Sequence, residues 1–113
     1  MSSIKTKRIG EQIAREISII LNEEAKNELL KNVSITDVTV DSDLTFASLY
    51  FMTRLDDHKL VENELNEASA FIRRNLAKKL DLRSTPELRF IYDKSLDYSH
   101  RIEEIIDKID RGE

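Results

Sequence analysis

The sequence predicts an α+β domain: a small sheet carrying helices on one face, with the other face partly open. Three observations point to it. Apolar residues near the N-terminus recur at helical spacing, two runs rich in β-branched and aromatic residues then flank a short polar turn, and a second helical stretch leads into a run of period two. At 113 residues the chain suits one domain around one core.

Ile9, Ile13, Ile17, Ile20 and Leu21 form the apolar stripe of a first helix that begins near Ile4 and fades beyond Glu24. Lys5, Arg8, Gln12 and Arg15 make a second, basic-to-neutral stripe along one edge of the same cylinder. Val33–Val40 and Phe46–Thr53 read as strands, and the intervening DSDLT is short enough to make them an antiparallel hairpin. The apolar phase shifts from Val33 and Ile35 to Val38 and Val40, which predicts a bulge near Asp37.

Val61, Leu65, Ala68, Ile72 and Leu76 keep helical spacing for more than four turns, but Phe71 lies about 100° off that stripe. A break at Ala68, Ser69 and Ala70 turns Phe71 inward and divides the stretch into helices over Leu60–Ser69 and Phe71–Leu80. After the single proline, Pro86, the alternation of Leu88, Phe90 and Tyr92 gives a third strand. Tyr98, Ile102, Ile105 and Ile109 return to helical steps, so residues 1–97 are expected to form the domain and 98–113 a helical tail.

Charge is distributed unevenly. The whole chain carries −4, yet ASAFIRRNLAKKLDLR, from Ala68 to Arg83, carries +4. Arg73, Arg74 and Lys78 fall outside the arc centred on Ile72, and Phe71–Leu80 holds four cations and no carboxylate, whereas Glu62, Glu64 and Glu67 crowd the preceding helix. Ordinary surfaces mix signs, so this separation within one element points to phosphate contacts. The candidate RNA-binding residues are Arg73, Arg74, Lys78, Lys79 and Arg83, extended by Arg89 on the third strand and by Arg8 and Arg15 on the first helix.

Other chemistries find little support. There is no cysteine, hence no thiolate metal site or cysteine nucleophile. With two glycines the chain has no GxGxxG, P-loop or GxxG clamp. Asp56, Asp57 and His58 read as a polar loop with a helix-capping aspartate rather than a metal site, and His100 has no partner at a telling spacing. We expect no catalytic residue, metal or cofactor. No signal-like or membrane-spanning apolar run occurs, which suits a cytoplasmic protein.

The runs ITDVTVDSDLTFASLYF and ASAFIRRNLAKKLDLRSTPELRFIYDKSLDYSHRIEEI resemble the bacterial ribosome-binding factor A family over nearly the whole chain. The resemblance rests on the basic first helix, the hairpin with its DL turn, the A-x-[GA]-F-I-R joint, LR-x-x-PEL-x-F-x-x-D and the closing RI-x-x-[IL]-[IL]. It implies a KH-like domain of type II order, α-β-β-α-kink-α-β, with the kink at Ala68, Ser69 and Ala70 replacing a glycine-rich clamp. It also implies a non-enzymatic factor that binds the small (30S) ribosomal subunit and its 16S rRNA late in maturation, assists rRNA processing and supports growth in the cold; nothing in the sequence demands a dimer, so a monomer is expected. Where the family usually has glycine this chain has Ala70, which favours a stiffer joint. The rival reading is a module that docks an acidic protein without RNA.

Overall fold

The computed structural model describes residues 4–80 and 84–95. Arg83, His100 and the expected tail helix lie outside the described residues. Along the chain come α1 (Ile4–Ile19), a π-helical turn (Ile20–Glu24), α2 (Glu28–Lys31), β1 (Val33–Val40), β2 (Phe46–Thr53), α3 (His58–Glu67), α4 (Ser69–Lys79) and β3 (Glu87–Tyr92). This is the KH-like α+β order, with α2 as one added turn.

The first helix does not run evenly to Glu24. Ser18 donates from its hydroxyl to the Ala14 carbonyl at 2.9 Å, a bond that loosens a helix, and the next turn widens to π geometry. The turn closes with the Ala25 N–H donating to the Ile20 carbonyl five residues back, at 3.0 Å. That spacing buries Ile20, Leu21 and Ala25 together. Asn27 then caps α2, its side chain accepting from the Leu29 N–H at 3.0 Å. Four residues carry too little periodicity to be read from sequence, which is why α2 is not among the expected elements.

The sheet order is β1-β2-β3, with β1 antiparallel and β3 parallel to β2. Both hairpin strands have the expected limits, and the register slips between Ile35 and Asp37, where the phase change predicts a bulge. Leu49, Phe51 and Phe90 point from the sheet to the helical layer and meet Ile13, Ile17, Val61, Leu65, Ile72 and Leu76, all essentially buried. Each such side chain contributes about 1.5–3 kcal/mol by leaving water. Gly10 lets α1 lie close on β1: a Cβ there would stand 3.2 Å from Val38 Cγ1.

Of the two loop aspartates it is Asp57 that caps α3, its carboxylate accepting from the Leu60 N–H at 3.1 Å. The joint between α3 and α4 is one residue, Ala68, at φ −85° and ψ 0°. Its N–H still donates to the Glu64 carbonyl and its carbonyl still accepts from the Ile72 N–H, both at 3.0 Å. The hydrogen-bond ladder therefore continues through a joint that needs no left-handed backbone at either Ala68 or Ala70. The bend sits at the head of the expected segment, with Ser69 and Ala70 already in α4, so both helices start two residues earlier than periodicity indicates. Phe71 does not turn inward. It remains 39% exposed, because a bend at Ala68 precedes Phe71 and leaves its angle to Ile72 unchanged.

Candidate nucleic-acid interface

On α4, Ile72 and Leu76 face the core and define the wheel. Arg73 turns about 100° to one side, whereas Phe71, Arg74 and Lys78 turn about 100°, 160° and 120° to the other. The side taken by Arg73 is internal in function. Its Nε and Nη2 donate to the Thr85 carbonyl at 3.1 and 2.7 Å, lashing α4 to the segment that enters β3 through the buried Pro86.

Lys79 is also committed. Its Nζ lies 2.8 Å from Glu24 Oε1 at the end of the π turn. That hydrogen bond, opposed by partial desolvation and reinforced by the charges of Glu24, Glu16 and Glu23, holds the ammonium pKa above its ordinary value. An ammonium neutralised this way offers little to an outside phosphate. Arg74 and Lys78 are exposed and make no hydrogen bond or ion pair among the described residues.

Measured from buried Ile13 on α1, Glu16 lies about 60° round the helix, on the same side as Lys5, Arg8, Gln12 and Arg15. Gly10 lies about 60° the other way, against Val38 and Val40 of β1. The basic stripe of α1 therefore lies on the side of the helix turned away from β1. Arg8 and Arg15 are exposed there, again without an ion pair among the described residues.

Arg89 does not join this surface. On β3, Leu88 and Phe90 point into the core, so Arg89 between them projects from the opposite, open face beside Ser48 of β2. The expected cluster thus divides. Arg8, Arg15, Arg74 and Lys78 share the outer side of the helical layer, Arg73 and Lys79 hold the fold together, and Arg89 faces away.

The acids set apart by sequence have internal work as well. Glu62 Oε2 accepts from the Tyr92 N–H at 2.8 Å and Glu64 Oε2 from Asn27 Nδ2 at 2.9 Å. Among the described residues no group of three or more potential ligands is placed to hold a metal ion, and no helix is long and apolar enough to cross a membrane.

Residues 5–106 match the family model for ribosome-binding factor A. The chain belongs to that family. A ribosome-binding factor A from Vesicomyosocius okutanii subsp. Calyptogena okutanii is 38% identical over 108 residues, covering 96% of this chain and 95% of that protein. The crystal structure of ribosome-binding factor A from Thermus thermophilus superposes with a TM-score of 0.70 at 17% identity, covering 77% of this chain and 94% of that one. A homology model of the Thermus thermophilus factor, fitted into a cryo-EM map of a complex of that protein with the 30S subunit, gives a TM-score of 0.67 at 17% identity, covering 79% and 96%. In this ribosome-binding factor A homologue the joint at Ala68 opens the stretch Ala68-Ser69-Ala70-Phe71-Ile72-Arg73. What sequence reasoning missed is the surface beside that joint, where Phe71 stays exposed. The signal was its misfit to the apolar stripe.

Proposed function

We propose that this chain is a non-enzymatic factor that binds the small ribosomal subunit and docks on 16S rRNA through the outer side of α1 and α4. The observation that carries this is the set of exposed cations Arg74, Lys78, Arg8 and Arg15, unpaired among the described residues and turned away from the core on α1 and α4 of a net-acidic protein. It is supported by the homologous Thermus factor fitted into a 30S complex. Phosphate contacts from guanidinium and ammonium groups set affinity and orientation, and the bend, lacking a GxxG clamp, suits the shape of folded RNA better than a short threaded strand. The carboxylates on the remaining surface repel phosphates and restrict the protein to one docking pose. To this reading the family resemblance adds binding late in maturation, assistance to 16S rRNA processing and support of growth in the cold, and we propose that the protein acts as a cytoplasmic monomer.

The test is co-sedimentation with purified small subunits across a salt series. Replacing Arg74 and Lys78 by Glu lowers affinity at least about tenfold and reduces the salt slope by about one per lost phosphate contact, with an unchanged circular dichroism spectrum. Undiminished binding by the double variant removes this surface from the reading.

A further inference from the structure

Beside the kink lies a groove of about 530 Å³, between Ala68 and Phe71 on one wall and the chain from the π turn into α2 on the other. Its volume falls within the range of about 300–1,000 Å³ usual for small-ligand sites. Ala25, Leu30, Ala68 and the ring of Phe71 make its apolar part, and Glu24, Lys26, Asn27, Glu64 and Glu67 line the rest. Phe71 is 39% exposed, a large aromatic surface left in water at the mouth of a concave site.

The strip of α4 that carries Phe71 also carries both unpaired cations. Arg74 follows Phe71 by about 4.5 Å along the axis, and Lys78 by about 10.5 Å and within about 20° of the same meridian. Arg74 and Lys78 thus lie beyond Phe71 on α4, outside the lining, whereas Glu64 and Glu67 line the groove from α3 and Glu24, paired with Lys79, from the π turn. Glu64 spends one lone pair on Asn27 and keeps others for a further donor.

We propose that this groove receives one unpaired nucleobase of the bound RNA, stacked on Phe71, with neighbouring phosphates on Arg74 and Lys78; the proposal rests on the ribosomal reading above and names the ligand of the same surface. The charges favour this occupant. A base is neutral and can lie among carboxylates while its phosphates stay on the cations. A basic peptide would suit Glu64 and Glu67 but meet Lys26, Arg74 and Lys78. Carboxylates accept hydrogen bonds, so the groove selects bases with an exocyclic amine, adenine, cytosine and guanine, over uracil. Stacking on an aromatic ring supplies much of the affinity for single strands, and the apolar floor excludes water from the stack.

The experiment titrates the isotopically labelled full chain with the hexanucleotides rA6, rC6 and rU6, followed by amide chemical shifts, alongside sedimentation with small subunits. The groove amides of residues 24–30 and 68–72 are expected to shift with rA6 and rC6 and less with rU6. Phe71→Ala should weaken rA6 binding about tenfold, and Phe71→Tyr should stay within about twofold of the parent. Shifts confined to the cations of α1 and α4, with Phe71→Ala unchanged, overturn the base pocket and leave the phosphate surface standing. Groove shifts produced by a Lys-Leu peptide and not by RNA assign the groove to a protein partner and overturn the proposal. Loss of subunit binding in the parent chain itself overturns both readings.

Discussion

Asn66 on α3 forms a reciprocal pair of hydrogen bonds with the backbone of Phe90 on β3. Its Nδ2 donates to the Phe90 carbonyl and its Oδ1 accepts from the Phe90 N–H, both at 3.0 Å. Two residues along β3, Tyr92 donates its N–H to Glu62 on the same helix at 2.8 Å. β3 is an edge strand, and such edges are templates for unwanted pairing. Here a helix supplies side-chain groups where another strand would have supplied backbone.

Asn66→Ala removes both partners of the Phe90 peptide at once. Leaving a part-buried N–H and carbonyl unmet costs about 1–3 kcal/mol. Urea unfolding should show a loss of about 2 kcal/mol, and Asn66→Asp, which restores only the acceptor, should fall between the variant and the parent. A loss below about 0.5 kcal/mol would mean that water replaces the amide without penalty.

The division among the cations predicts opposite phenotypes for neighbours. Arg74→Ala should weaken subunit binding and change stability by less than about 0.5 kcal/mol, as expected at an exposed site. Arg73→Ala should cost about 1 kcal/mol through the two bonds to the Thr85 carbonyl. Lys79→Ala, whose charge is held by Glu24, should bind subunits more nearly like the parent than Lys78→Ala does. Parallel measurements of denaturant midpoint and co-sedimentation check all three, and equal binding losses at Lys78 and Lys79 contradict the division.

These particulars show which levels of the structure the sequence carries. Strand limits, the bulge at Asp37, the aspartate cap of α3 and the presence of a kink are all legible, because each depends on local chemistry or on periodicity within a few residues. The partners of long side chains are not. Arg73 and Arg74 are adjacent and equally basic, and only the fold brings the Thr85 carbonyl to one of them. Arg89 falls on the side opposite to expectation because strand alternation fixes its face only once the helical face of the sheet is known. Glu62 and Glu64 stand out in the sequence only as acids crowding one helix, although β3 and Asn27 engage them.

Asp93, just beyond β3, predicts a response to acid. Its carboxylate accepts from the Ser95 hydroxyl and, across the open sheet face, from Thr36 Oγ1 at 2.6 Å. These bonds, that from Ser95 contributing most, hold its pKa below the ordinary 3.8. A carboxyl whose folded pKa is depressed adds stability above its unfolded pKa and loses it as pH falls through the folded value. Carboxyl-carbon NMR titration should therefore place the Asp93 midpoint below 3.8 in the parent, with Ser95→Ala raising it more than Thr36→Val. Midpoints unmoved by both substitutions would show that neither hydroxyl stabilises the ionised form.

Gly10 offers the last test, because two effects of similar size oppose each other there. In the interior of α1, Ala is preferred over Gly by about 0.8–1 kcal/mol. The added methyl, however, stands 3.2 Å from Val38 Cγ1, closer than ordinary contact, and overpacking costs about 1–3 kcal/mol. Val38 is β-branched and half-buried, so it cannot rotate freely out of the way. Gly10→Ala should accordingly be neutral to destabilising by about 1 kcal/mol in the parent. In a Val38→Ala background the contact disappears, and the same change should become stabilising by about 0.5–1 kcal/mol. A double-mutant cycle from urea unfolding reads the coupling directly. Equal effects in both backgrounds would mean that the approach of α1 to β1 is not what holds this position to glycine.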